Sequence, residues 1–273
     1  MLKLDWLGPP TATLDGLPVH FETRKITALL AYLSLNPSGS PREKLAALFW
    51  PEYDQPHALA NLRRALGSLT RALPPGCIDA GRECLRWTPE PPSEVDVLQV
   101  QAGLKAVRLH HPRGTDPCPE CLRVLEAAGE LYRGDFLEGL NLPDAPAFDD
   151  WQYLTREELK RELGWSLEQL ARELARQGAW EKAVRAARRR VSLDRLDASA
   201  QSALVEIYAR SGQLGQAQRQ AEEYKRLYRE EFGQEPDVTA WEPFRRSLQP
   251  AAPQDRPRQG SQAPGGRGLP NTK

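Results

Sequence analysis

Two groups of residues in this sequence have types and spacings suited to ligation or recognition. The first is His110, His111, Cys118 and Cys121, in which a Cys-Pro-Glu-Cys run opens a helix and two imidazoles lie one loop upstream. Two thiolates and two ring nitrogens form a donor set for tetrahedral zinc. The spacing is unusual for such a site, and adjacent histidines do not easily both point at one ion, so free thiols at a helix start are the competing reading. A redox role is the third reading, since a CxxC at a helix start has a depressed thiol pKa, but no thioredoxin-like pattern of strand and helix surrounds it. The second group is Asn61, Arg63, Arg64, Ser68 and Arg71, all within one helical segment. Arginine suits phosphate and the paired acceptors of guanine, and asparagine can pair with adenine. Asn61, Arg64, Ser68 and Arg71 form a polar stripe about 100° or more from the leucine seam. They are candidate base readers and Arg63 a candidate phosphate contact. A solvated amphipathic helix would carry a charged stripe as well.

The elements that must position the second group come first in the chain. Lys3 to Leu7 and Thr11 to Val19 read as short strands, with Gly8-Pro9-Pro10 and Asp15-Gly16 as turn residues. Thr23 is a candidate N-cap for a helix through Leu35, with Ile26, Leu29, Leu30 and Leu33 at helical spacing and Asn36-Pro37 ending it. Ser40 would cap a second helix, with Pro41 at its first position and Glu43 completing a capping box, and Pro51 stops it after Trp50. A third helix is expected from about His57 to Leu73, where Leu62, Leu66, Leu69 and Leu73 form the apolar seam. Cys77 to Trp87 reads as a hairpin, with Cys77 and Cys84 as small apolar residues on opposite arms, and Pro89, Pro91 and Pro92 as a linker.

The remainder is read as helical, with candidate helices at Glu94 to His110, Glu120 to Tyr132 and Ala147 to Gln177. An internal repeat follows: Leu174, Ala175, Gly178, Trp180, Ala183 and Leu193 recur 34 residues later as Tyr208, Ala209, Gly212, Leu214, Ala217 and Leu227. That period belongs to tetratricopeptide helix hairpins. A small residue lies where helices cross, a glycine leaves the first helix, and a bulky apolar residue opens the second. From Gln249 the chain is rich in Pro, Gly, Gln and Arg, which reads as a disordered tail. The expected division is therefore 1–92, a domain of short strands, three helices and a hairpin; 93–248, a helical domain with tetratricopeptide-like hairpins; and 249–273, the tail. The fold class is mostly α with a small β component.

Composition narrows the function classes. Of the 273 residues, 40% are hydrophobic and 27% charged, which is enough apolar material for two ordinary cores without disulfides. The net charge is zero, but no acidic residue occurs from Gln55 to Ile78, where Arg63, Arg64 and Arg71 lie. Nucleic-acid binding needs such a local basic face rather than a basic chain. The N-terminus lacks a basic region followed by an apolar core, and no apolar run reaches the length of a membrane span, so a cytoplasmic protein with no membrane contact is expected. No GxxxxGK[ST], GxSxG or GxGxxG sequence occurs, and with only four histidines nothing supports an enzyme.

The order strands, helix, helix, loop, helix, hairpin is that of a winged helix, whose third helix lies in the major groove. The runs Thr23-Arg24-Lys25, Leu48-Phe49-Trp50-Pro51, Ala60 to Leu66, Leu131-Tyr132-Arg133-Gly134-Asp135-Phe136-Leu137 and Phe148-Asp149-Asp150-Trp151 stand in the chain, with Gly233, Glu235 and Pro236 near the end. By these residues the chain resembles the SARP-type bacterial regulators, in which an OmpR-type winged helix precedes a bacterial transcriptional activator domain. The resemblance covers roughly Lys3 to Leu248. It implies sequence-specific binding to promoter repeats, and as partners double-stranded DNA, RNA polymerase or other transcription machinery, and a second copy of the chain. No cofactor is required beyond the candidate structural zinc. One departure stands out: where such third helices are usually basic after the second leucine, this one has Gly67, Ser68 and Thr70. That points to weaker DNA binding, or to binding as a dimer. The alternative is a protein-interaction adaptor that uses its tetratricopeptide-like repeats and carries a degenerate winged domain.

Overall fold

The computed structural model describes residues 1–90, 92–111 and 116–237. The expected tail from Gln249, with the segment just before it, lies outside the described residues. Strand β1 (Leu2–Asp5) pairs antiparallel with β2 (Thr11–Leu14), which turns into β3 (Leu17–Pro18). The turn between them holds Asp15 and Gly16 at φ of 51° and 81°, as a type I′ hairpin requires at both central positions. Helix α1 (Arg24–Leu35) starts as its sequence indicates, with the Thr23 side chain accepting from the Ile26 N–H, and Asn36 closes it by donating from Nδ2 to the Tyr32 carbonyl at 2.8 Å.

Ser40 does not cap the second helix. Ser40–Pro41 is instead a strand, β4, paired antiparallel with β6 (Cys84–Trp87), and α2 (Arg42–Phe49) begins behind it without a side-chain cap. The extended backbone that a cap needs is here committed to a ladder, and the Arg42 N–H donates to the Glu83 carbonyl at 2.8 Å. Helix α3 (Gln55–Ala72) starts two residues before the expected His57, because Asp54 accepts from the His57 N–H at 3.0 Å and sets its first turn. β5 (Ile78–Ala80) and β6 make the expected hairpin, which β4 extends to three strands in the order β4-β6-β5.

Past the proline cluster, Glu94–Val95 forms β7 rather than the first turn of a helix. It pairs parallel with β1, so the first sheet has the order β3-β2-β1-β7. Six helices follow: α4 (Asp96–His110), α5 (Pro119–Leu131), α6 (Pro146–Arg176), α7 (Trp180–Leu193), α8 (Ala198–Arg210) and α9 (Leu214–Phe232). Each packs on its neighbour in sequence from α4 to α9. The 34-residue repeat has a matching backbone. After α6, Gly178 at φ 75° donates to the Ala175 carbonyl and Ala179 to that of Leu174; after α8, Gly212 at φ 80° donates to Ala209 and Gln213 to Tyr208. These paired bonds are Schellman caps, which need a left-handed residue at that position, and glycine adopts it without Cβ strain. Ala183 and Ala217, at corresponding places in the next helices, are both fully buried. The molecule is mostly α with small sheets, a winged N-terminal unit followed by a helical one.

The two units share a continuous apolar core. At their junction Asp96, 2% exposed, accepts hydrogen bonds from the backbone N–H groups of Trp6 and Leu7 at 2.9 Å and of Val97 at 2.7 Å, and pairs with Arg133 at 2.9 Å. Burial pushes its carboxyl pKa up, against the pull of these donors and of Arg133. The loop after α5 is knitted to the end of β1: Arg133 N–H donates to Leu7, Gly8 to Asp135, and Leu137 to Trp6. Tyr32 lies on Trp151 with ring centroids 4.8 Å apart, and Phe49 on Phe148 at 5.2 Å. Among the described residues no helix is long and apolar enough to cross a membrane.

Candidate nucleic-acid interface and cysteine-histidine cluster

Helix α3 buries Ala58, Leu62, Ala65, Leu66, Ser68 and Leu69. At about 100° per residue, the opposite face holds Arg63, Arg64, Gly67, Thr70 and Arg71. Both Arg63 and Arg64 are exposed, and among the described residues neither has an ion-pair partner. Arg71 is exposed and meets Glu22 only at 4.0 Å. Thr70, which its sequence position did not single out, is also exposed, and its hydroxyl donates back to the Leu66 carbonyl. Asn61, half-buried, lies between the directions of buried Ala65 and Ser68, so the helix turns it toward the packed arc rather than the arginine face.

Ser68 is a correction. At 8% exposed it lies inside the packed arc and cannot present its hydroxyl to a base edge. The leucines alone define a narrow seam, but Ala58 and Ala65 are buried too, and Ser68 lies only about 60° from Ala65 around the helix. The exposed basic face of α3 thus consists of Arg63, Arg64 and Arg71, with Thr70 beside them.

The four basic residues near the starts of α1 and α2 separate by environment. Lys25 is structural: it pairs with Asp144 at 2.7 Å and Glu52 at 3.4 Å and lies over the Trp50 ring. Arg42 braces the hairpin turn, donating from Nε to the Gly81 carbonyl at 2.9 Å. Arg24 and Lys44 are exposed. In the β5–β6 hairpin, Arg82 is exposed and Arg86 pairs with Asp79 at 3.3 Å. The two arginines of this hairpin are balanced by Asp79 and Glu83, and Arg82 is the one without an ion pair among the described residues.

The second candidate group does come together. One donor atom from each of His110, His111, Cys118 and Cys121 lies within 4.8 Å of the others. His110 Nδ1 is 3.3 Å from Cys121 Sγ and 3.8 Å from Cys118 Sγ. The Cys118 N–H donates to His111 Nε2 at 3.1 Å. The adjacency of the histidines is no obstacle, because α4 ends between them: His110 is its last residue and His111 already has extended backbone, φ −122° and ψ 92°. Their rings lie 4.5 Å apart at 70°. The Cys121 N–H, then the His111 ring, draws the Cys118 thiol down to about 6, whereas burial pushes the Cys121 thiol up. Cys77 and Cys84 stand apart as free thiols, Cys77 buried and Cys84 partly so.

The model of the bacterial transcriptional activator domain matches residues 95–242. Among solved structures, this chain is similar to Mycobacterium tuberculosis EmbR in complex with a low affinity phosphopeptide, with a TM-score of 0.59 and 21% identity over 90% of this chain and 63% of that one. The chain thus spans less than two thirds of that protein's length, and the likeness is one of fold. No curated protein matches the chain.

Proposed function

The chain belongs to the bacterial transcriptional activator domain family and has the organisation of a SARP-type transcription regulator, and from that premise we propose that it regulates promoters by binding their repeated sequences through α3. The observation that carries this reading is the exposed arginine face of Arg63, Arg64 and Arg71 on a helix whose other side is locked into the core. Arg64 and Arg71 are the base-reading candidates, and Arg63 with Thr70 and Arg82 of the hairpin meets phosphates. Ser68 has no part in it. The family is one of regulators, and no reaction is proposed for this chain.

The helical unit supplies the protein contacts, with RNA polymerase or other transcription machinery and with a second copy of the chain. Dimerisation suits a modest recognition face, because two half-sites bound together multiply affinity without further basic residues. The protein acts in the cytoplasm, where its DNA is.

Capture of genomic fragments from the bacterium of origin by the intact chain tests the reading directly. Enrichment of fragments sharing a repeated sequence, with affinity that falls steeply as salt rises, is the expected result. Binding no tighter than to random DNA by folded protein would leave the adaptor reading in its place.

A further inference from the structure

We propose that His110, His111, Cys118 and Cys121 bind one zinc ion, which closes the connection from α4 into α5. The proposal stands on the cluster alone and holds whether or not α3 binds DNA. Around a tetrahedral zinc with Zn–S of about 2.3 Å and Zn–N of about 2.0–2.1 Å, a sulfur and a nitrogen ligand lie about 3.5 Å apart. His110 Nδ1 stands 3.3 and 3.8 Å from the two sulfurs, on either side of that value. The remaining donor-to-donor separations, all within 4.8 Å, need only a short inward movement of side chains. His111 makes the largest adjustment, since its Nε2 must release the Cys118 N–H if that nitrogen is the ligand.

The donor chemistry selects the metal. Two thiolates neutralise a divalent charge, two imidazoles complete the shell, and no oxygen ligand takes part, a set that suits zinc and disfavours magnesium or calcium. All four positions are filled from the protein, so the site has no place for a substrate water and is structural rather than catalytic. Burial supports that role: Cys121 is buried, His111 and Cys118 are half-buried, and His110 is exposed, so a metal would sit at the rim of the helical unit. The α4–α5 pair is already held by Val100, Leu104, Val107, Leu122 and Leu125, all buried. Zinc therefore fastens the end of an existing helix hairpin, and the rest of the fold survives without it.

The test uses the full chain, purified without an affinity-tag metal, stripped of metal and kept reduced. Cobalt(II) is added as a spectroscopic stand-in for zinc. One equivalent is expected to give the visible ligand-field bands of a tetrahedral ion together with thiolate-to-cobalt charge transfer, and one equivalent of zinc to abolish both. Cys118→Ser and Cys121→Ser each leave one thiolate, so each is expected to lower the charge-transfer intensity per bound cobalt to about half and to weaken binding by more than the roughly 10–100-fold lost with a merely supporting partner. His110→Ala and His111→Ala should each weaken binding and distort the tetrahedral bands, while Cys77→Ser should leave stoichiometry and spectrum unchanged. Far-ultraviolet circular dichroism of each variant reports whether it is folded. Zinc should also raise the Tm of the wild-type chain and leave that of the folded Cys118→Ser, Cys121→Ser double variant unmoved. Failure of the reduced wild-type chain to bind cobalt, an octahedral spectrum, or undiminished binding by the folded double variant would each overturn the site.

Discussion

Arg64 and Arg71 stand seven residues apart on α3 and so nearly share one direction, while Leu62, Leu66 and Leu69 hold the opposite face at 6% exposure or less. Exchanging the exposed pair therefore spares the fold. On the captured DNA, Arg64→Ala should cost about 1–3 kcal/mol against its preferred site and relax discrimination at one base position, while Arg63→Ala should weaken all sequences alike and reduce the salt slope by about one. Fluorescence anisotropy at several salt concentrations separates the two outcomes. A folded Arg64→Ala, Arg71→Ala double variant that binds as tightly as wild type would exclude α3 as the reading element. At this scale the sequence exposes residue chemistry well and burial less well. The arginines are legible because charge this dense is stable only facing water. Ser68 is not, because small residues leave no mark of which side of an amphipathic boundary they occupy. The paired histidines look incompatible only if both belong to one element.

Elements are specified by short-range rules wherever a side chain satisfies the backbone nearby, and fail to be legible where a distant strand does so. Thr23, Asn36 and the glycines after α6 and α8 act locally, and those helix ends fall where the sequence indicates. Ser40 carries the composition of a cap, yet its partner is Leu85 on a strand formed more than forty residues later, which no local pattern discloses. The same distinction yields two expectations. Gly67 is mid-helix with open space where a Cβ would stand, so Gly67→Ala should raise stability by about 1 kcal/mol, read as a higher denaturant midpoint. Loss of DNA affinity in that more stable variant would show that the phosphate backbone approaches α3 closely there. Asp197 caps α8, accepting from the N–H groups of Ser199 at 2.8 Å and Ala200 at 3.1 Å, and pairs with Arg190. Burial opposes its charge, but the Ser199 hydroxyl at 2.6 Å, the Ala200 N–H and Arg190 hold the carboxyl below its ordinary 3.8. As pH falls, the unfolded chain takes up the proton first, so the stabilisation present above pH 3.8 is lost through the window between that value and the lower folded one. Asp197→Ala should therefore cost roughly 1–2 kcal/mol at neutral pH, and less in urea titrations carried below pH 3.8.

Over the whole molecule, several of the motifs that make the sequence resemble its family, those at Lys25, Phe49, 131–137 and 148–151, form the seam between its two units. Arg133 and Asp135 bind the end of β1, Phe148 and Trp151 pack on the aromatic rings of α1 and α2, and Lys25 reaches across to Asp144. These residues hold the winged unit against the helical unit through backbone bonds, ring contacts and an ion pair. Asp96 is the centre of that seam. It lies past the proline cluster, where composition suggested a linker, yet its carboxylate is the shared acceptor for two N–H groups of the first unit and for the Arg133 guanidinium of the second. Removing it leaves the buried N–H groups of Trp6 and Leu7 without their acceptor, at a cost of about 1–3 kcal/mol each, while the half-exposed Arg133 keeps its pair with Asp5 at 3.1 Å. That cost falls on the junction and not on either core. In calorimetry the wild-type chain should unfold in one cooperative transition. Asp96→Ala should lower that transition or resolve it into two, and the aromatic circular dichroism of the Tyr32–Trp151 and Phe49–Phe148 ring pairs should then disappear in the earlier step. The α3 arginines are untouched by this change, so the folded variant should keep its affinity for an isolated half-site and lose affinity for the paired repeat if the helical units set the spacing. An Asp96→Ala chain that unfolds in the wild-type manner and at the wild-type temperature would show that the aromatic rings, the backbone bonds of the loop after α5 and the Lys25–Asp144 pair hold the seam without Asp96.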